Sequence, residues 1–225
     1  MFYMVDMSKE VRVDILQAML PIVVFDGWNQ KSLRASIKSI NLPEGSEELY
    51  FPEGALEVIR FWHDQMNEFV KSNLESLNKS EMKIREQVTA GVLSALESIG
   101  SNEEAMRRAI IRLSLPDAAV QGPTYLWSLA DSIWRAIGDR STDYNYYTKR
   151  TILAGVLGST ITVWISDSDQ NKVKTKLFLD ARISNVMSFE KSKFKIVEKI
   201  NNIPNFAEIL GRLRYGNNKK RRRKY

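Results

Sequence analysis

The stretch Leu56-Glu57-Val58-Ile59-Arg60-Phe61-Trp62-His63-Asp64-Gln65-Met66-Asn67-Glu68-Phe69-Val70 decides the fold. Leu56, Ile59, Trp62, Met66, Phe69 and Val70 recur at intervals of three and four, the spacing at which an α-helix gathers side chains on one face. Working upstream, Val11, Ile15, Leu16 and Met19 mark a first helix, which the sequence ends near Pro21 because proline lacks the amide a helix needs. Asn29 caps a second helix with Leu33, Ile37 and Ile40 on one side, and a short third piece lies around Ser46 to Leu49. Downstream, Ile84, Val88, Val92, Leu96 and Ile99 keep the same period. Ser101 or Asn102 caps a helix bearing Met106, Ile110 and Leu113. Pro116 starts the next, with Leu126, Leu129, Ile133, Trp134 and Ile137 inward and Gly138 closing it. Thr142 or Asp143 opens an apolar helix through Ile152, Val156, Ile161 and Ile165. Val173 to Met187 forms a ninth helix after a turn at Ser166 to Ser168. Strand alternation persists nowhere, so the expected fold is all-α. The spacing divides it into a helix-turn-helix-like head at 1–50, a helical bundle at 51–187, an amphipathic segment at 188–216 and a basic tail at 217–225.

Composition narrows the chemistry. The 225 residues are 44% hydrophobic, enough for one ordinary domain and an extension, and Gly and Pro are sparse. With no cysteine there is no disulfide, thiolate metal site or cysteine nucleophile. One histidine, His63, cannot build a two-histidine metal cage, and its place in an apolar helical run reads as a helix-surface or core-edge residue. No run approaches the ~20 apolar residues of a membrane-spanning helix, and the N-terminus has neither a signal-peptide pattern nor an Arg/Ser-rich transit pattern. The run Lys219-Lys220-Arg221-Arg222-Arg223-Lys224 carries the whole net charge of +6, leaving a body in which the two signs balance.

Two stretches carry a family resemblance. The first is Phe25-Asp26-Gly27-Trp28 followed by Leu49-Tyr50-Phe51-Pro52-Glu53-Gly54-Ala55-Leu56-Glu57. The second is Gly138-Asp139-Arg140-Ser141-Thr142-Asp143-Tyr144-Asn145-Tyr146-Tyr147-Thr148-Lys149-Arg150. Together with Ser166-Asp167-Ser168 and Phe178-Leu179-Asp180-Ala181-Arg182-Ile183, they resemble the ninth Coq accessory-protein family of coenzyme Q (ubiquinone) biosynthesis, from about residue 9 to residue 187. The resemblance implies a TetR-like helical fold, a homodimer, a pocket for an isoprenoid quinone lipid, a C-terminal amphipathic membrane helix, and a docking patch for the demethoxyubiquinone hydroxylase. It implies no cofactor and no catalytic residue. The positions matching the family's docking patch are Ile133, Asp143, Tyr146 and Tyr147. Where the family often has Trp-Tyr, this chain has Tyr146-Tyr147, which keeps an aromatic. With no transit pattern, the expectation is a bacterial member on the cytoplasmic face of the inner membrane, or the matrix face in a eukaryote.

The functional candidates follow. Trp62, Phe69, Val88, Leu96, Leu113, Trp127 and Trp134 are the expected lipid-lining residues, although a stripe at helical spacing also reads as plain core. Phe206, Ile209, Leu210 and Leu213 fall at i, i+3, i+4 and i+7. With the run from Lys219 to Lys224 they suit an interfacial helix on an anionic membrane. The other reading of that segment is a solubilising or nucleic-acid-binding tail. In the Gly138 to Arg150 stretch, the bland reading makes Asp143 a helix cap and Arg150 part of a surface ion pair. The function expected is non-enzymatic presentation of a quinone precursor to the hydroxylase at a membrane. The alternative is a TetR-type transcription regulator with a lipid-like effector. A DNA reader needs Lys or Arg on its recognition element. Pro43 to Glu57 has five glutamates and none of either, and where TetR regulators usually place a Lys after Phe-Pro, Glu53 and Gly54 stand.

Overall fold

The computed structural model describes residues 2–186, with the chain divided into a compact unit of residues 1–180 and a second unit from 181 onward. The second unit is helical over 181–186, and the membrane-binding candidates from Phe206 to Lys224 lie outside the described residues. All regular structure in the described residues is helical: α1 (Phe2–Asp26), α2 (Gln30–Ser39), α3 (Ser46–Tyr50), α4 (Ala55–Ser76), α5 (Ile84–Ile99), α6 (Glu103–Leu113), α7 (Gln121–Ala136) and α8 (Asp143–Trp164), with a 3-10 turn at Lys79–Glu81. Residues 173–180 close the first unit as a further helical segment.

Two boundaries differ from the sequence reading. The first helix does not stop at Pro21 but continues to Asp26. Pro21 sits on the exposed side, and Val23 extends the buried face of Ile15, Leu16, Met19 and Leu20. Burial on that face offsets the one backbone bond that proline removes. What ends the helix is Gly27, whose φ of +75° is the left-handed turn glycine adopts freely, with its amide donating to the Val23 carbonyl at 2.9 Å. The second difference is α7, which starts at Gln121 rather than Pro116. The prolines explain it: Pro123 falls in the first turn, where its missing amide costs no helical bond.

The head is bolted to the bundle. Arg12 on α1 lies over the rings of Phe51 and Phe61, 4.6 and 4.7 Å from their centroids, and donates to Glu57 at 3.0 Å. The other Glu57 oxygen accepts from the Glu53 amide at 3.0 Å, so the Phe51 to Glu57 stretch is a turn braced on a buried carboxylate. Trp28 stacks on Trp62 at 5.6 Å, and its indole N–H donates to the Ala105 carbonyl at 3.0 Å. Helix α4 is central and packs on α5 and α7, while α7 pairs with α8. Gly91 permits the α5–α7 approach, since a Cβ there would stand 2.7 Å from Cγ2 of Ile133. Asp167 accepts from both the amide and the hydroxyl of Thr175, at 2.9 and 2.8 Å, fixing the turn into the 173–180 helix.

Candidate functional site: an apolar cavity and an aromatic-ionic face

Four helices leave a cavity of about 350 Å³ between them. Helix α4 contributes Ile59, Trp62, His63 and Met66, whose i, i+3, i+4, i+7 spacing turns them to one side. Helix α6 contributes Met106, Ala109, Ile110 and Leu113, again at that spacing. Ser114 and Ala119 line the connection, Gly122, Pro123, Tyr125, Leu126 and Leu129 come from α7, and Gly158 and Ile161 from α8. The wall is overwhelmingly apolar. On its α6–α7 side the surface carries exposed apolar side chains, Ile110, Ile111, Leu115 and Val120, the last 79% exposed.

Polar atoms on the wall are few. The Ser114 hydroxyl donates to the Ile111 carbonyl at 2.7 Å, and the Tyr125 hydroxyl to Gln121 at 3.2 Å. His63 is only 7% exposed, and its ring stacks on Tyr125 at 4.6 Å between centroids. Asn67 donates to His63 Nε2 at 2.7 Å. Burial pushes the imidazole pKa down to about 4, so the ring is neutral at physiological pH.

Of the seven lipid-lining candidates, Trp62 and Leu113 are on this wall. Phe69 is 41% exposed and borders a second, more polar cavity of about 440 Å³ that Trp62 also touches. Val88 and Leu96 are buried in α5. Trp127 stands 6.2 Å from Tyr147, and Trp134 donates from Nε1 to the Lys149 carbonyl at 3.2 Å. None of these five lines the first cavity. The wall residues that sequence reasoning passed over include His63, Ala109, Tyr125 and Gly158. For His63 the signal was present, as its register matches that of Ile59, Trp62 and Met66.

The Gly138 to Arg150 stretch builds a different feature at the α7–α8 junction. Arg150 is not a surface ion-pair residue, because its side chain is 2% exposed. It donates to Asp131 at 2.6 Å, Asp139 at 3.2 Å and the Tyr146 carbonyl at 3.1 Å, and lies 3.6 Å from the Tyr146 ring centroid. Burial alone would raise the Asp139 carboxyl, but hydrogen bonds from Lys149, Ser141 and Arg150 outweigh it and hold the pKa down to about 2. For Asp131 burial is likewise outweighed by bonds from Arg150 and Arg135. Tyr146 is half-buried on this base, with its hydroxyl 3.3 Å from Asp131. Tyr147, in edge contact with Tyr146 at 5.1 Å, is 62% exposed. Ile133 is wholly buried, against Gly91 of α5. Asp143 begins α8 behind Thr142 as N-cap, and its side chain lies outside the described residues. The four docking candidates therefore divide: Tyr147 offers a surface, Tyr146 is its half-buried support, Ile133 is core, and the Asp143 side chain is outside the described residues.

Among the described residues no group of three or more His, Asp or Glu side chains could hold a metal ion, and no helix is long and apolar enough to cross a membrane. Head and bundle define the class: an all-helical protein of TetR-like architecture. A crystal structure of a TetR transcriptional regulator from Nitrosomonas europaea matches with a TM-score of 0.64, covering 78% of this chain and 97% of that one at 15% identity, a likeness of fold. Residues 119–190 match the COQ9 family model, from just before α7 through α8 and the following helix. The chain is 29% identical over 188 residues to the ubiquinone biosynthesis protein COQ9, mitochondrial, of Rattus norvegicus, and 27% identical to that of Homo sapiens, in each case over 80% of this chain. A relative in Dictyostelium discoideum, a probable ubiquinone biosynthesis protein coq9, is 23% identical over 85% of this chain. The chain is thus similar in sequence to the COQ9 proteins, and its residues 119–190 match the COQ9 model, as the two motif stretches anticipate. It spans 59 to 64% of the length of these relatives.

Proposed function

We propose that this chain serves ubiquinone biosynthesis as a non-catalytic accessory, holding an isoprenoid quinone precursor in the cavity among α4, α6, α7 and α8 and presenting it to the demethoxyubiquinone hydroxylase. The observation that carries the reading is the cavity, whose apolar wall suits a ligand that water rejects. Its 350 Å³ lies near the lower end of small-molecule pockets, about 300–1,000 Å³. At about 30 Å³ per water-sized group it admits roughly a dozen non-hydrogen atoms, a substituted ring or two isoprene units. A longer prenyl tail leaves by the α6–α7 side, where Ile110, Ile111, Leu115 and Val120 keep it out of water. Each CH2 so sheltered is worth about 0.8 kcal/mol, so delivery is a physical problem that a carrier solves without chemistry. Tyr147 on its Tyr146–Arg150 base is the proposed docking point for the hydroxylase, and the segment from Phe206 to Lys224 holds the protein on an anionic bilayer as a peripheral membrane protein.

The regulator reading gains nothing from the geometry. Helix α3 has five residues, Glu47 within it is buried against Arg34 at 2.9 Å, and no Lys or Arg stands on that element. The test of the proposal is extraction. The full chain is incubated with vesicles of phosphatidylcholine and phosphatidylglycerol that contain a two-isoprene ubiquinone, then separated from them and assayed for quinone. Close to one quinone per chain is expected. Protein that comes away empty refutes the carrier reading.

A further inference from the structure

Among the described residues, two side-chain N–H groups of the cavity wall have no acceptor inside the protein, one on His63 and one on Trp62. The Ser114 and Tyr125 hydroxyls both donate to protein oxygens. His63 differs. Asn67 can only donate through its amide nitrogen, and it does so to Nε2, so the neutral ring carries its proton on Nδ1. Among the described residues Nδ1 has no protein acceptor, and it is not one of the fully enclosed unpartnered atoms, which are Arg12 Nε, Asn67 Oδ1 and Gln87 Oε1. The His63 ring lines the cavity, and an N–H on a ring set among such apolar neighbours is costly unless something accepts from it. Among the described residues the Trp62 indole N–H also lacks an acceptor, but Trp62 borders both cavities, whereas His63 borders only this one.

The ring is also held in place. Tyr125 stacks on one face at 4.6 Å, and Asn67 fixes the edge at 2.7 Å. A donor whose orientation is set before the ligand arrives loses little freedom on binding, which is how a lone polar group confers specificity on an apolar site. Because the ring stays neutral down to about pH 4, the site presents a dipole and no charge, which selects against an anionic head group and for an uncharged oxygen.

We infer that His63 is the recognition residue of this cavity, donating from Nδ1 to an acceptor oxygen, a ring carbonyl or ether, at the buried end of an otherwise apolar ligand. The inference rests on the carrier reading above and deepens it: the oxygenated ring lies inward at α4 and α7, and the hydrocarbon tail points out.

The experiment compares two ligands on the full chain, each displacing the neutral fluorophore N-phenyl-1-naphthylamine. One is a two-isoprene ubiquinone. The other is geranylbenzene, which has a tail of the same length and a ring without oxygen. For His63→Leu, quinone affinity is expected to fall about tenfold, the size of one hydrogen bond, while geranylbenzene affinity stays within about twofold. His63→Asn, whose Nδ2 stands near the position of Nδ1, is expected to recover most of the quinone affinity and leave geranylbenzene unchanged. Equal weakening of both ligands in His63→Leu, or no rescue by His63→Asn, overturns the recognition role while leaving the carrier reading intact. If neither ligand displaces the fluorophore from the unaltered chain, the carrier reading fails, and the recognition role fails with it.

Discussion

Replacing Arg150 with Met removes the cation at the centre of the α7–α8 junction and leaves its partners behind. Four interactions go: the bonds to Asp131 at 2.6 Å, Asp139 at 3.2 Å and the Tyr146 carbonyl at 3.1 Å, and the stacking on Tyr146 at 3.6 Å. Removing one member of a buried ion pair costs about 3–5 kcal/mol, mainly through the charge left unpaired. Here Lys149 and Ser141 still hold Asp139, and Arg135 still holds Asp131, so the lower end applies, about 3 kcal/mol. At about 2–4 °C per kcal/mol for a chain of this size, Tm falls by roughly 6–12 °C. Thermal unfolding followed by circular dichroism reads this directly, and pH supplies an internal control. Carboxyls depressed in the fold contribute stability that is complete above their unfolded value of 3.8 and is lost as pH falls toward about 2. Arg150→Met surrenders part of that contribution. The gap between the two proteins should be flat from pH 7 to 5 and narrow as pH drops below 4. A Tm within 1 °C of the unaltered chain, on the order of the ~0–1 kcal/mol of a surface pair, refutes the reasoning.

Gly91→Ala sets a Cβ 2.7 Å from Ile133 and should destabilise by about 1–3 kcal/mol in urea unfolding, with no change if α5 and α7 are loosely packed. For His63 the folded pKa of about 4 lies below the unfolded 6.5, so the unfolded chain binds the proton first. Stability therefore declines as pH falls from 6.5 to 4, by about 3 kcal/mol at most, and this component is absent in His63→Phe. An identical pH profile in the two proteins contradicts that burial cost. Tyr147→Ala, at an exposed position, should leave stability within about 0.5 kcal/mol while weakening capture of the hydroxylase about tenfold. Equal capture by both forms removes the docking assignment.

The fold was legible because burial in this chain follows helical spacing closely. Ile59, Trp62, Met66 and Val70 are buried as their register requires. Local rules failed where long-range packing decides. Pro21 reads as a stop, yet Val23 has a partner surface and the helix goes on. The cavity was harder to read because an apolar stripe looks the same whether its neighbour is another side chain or empty space. Val88 and Leu96 share the periodicity of Leu113, and only the spacing of the helices determines which of them borders a void. Arg150 shows the opposite limit. Its identity suggested the surface, and its burial depends on Asp131, nineteen residues away on α7, which no local pattern couples to it.

The central claim is that the space among α4, α6, α7 and α8 is a ligand site and not a packing defect. Ala109 is 2% exposed on its wall, and Ala109→Phe grows a ring into it. The direct measurement is native mass spectrometry of lipid co-purifying with the unaltered chain and with Ala109→Phe, once the variant is shown by circular dichroism to be folded. An isoprenoid quinone on the unaltered chain and its loss from the variant is the predicted result. Equal quinone content in both proteins contradicts the account.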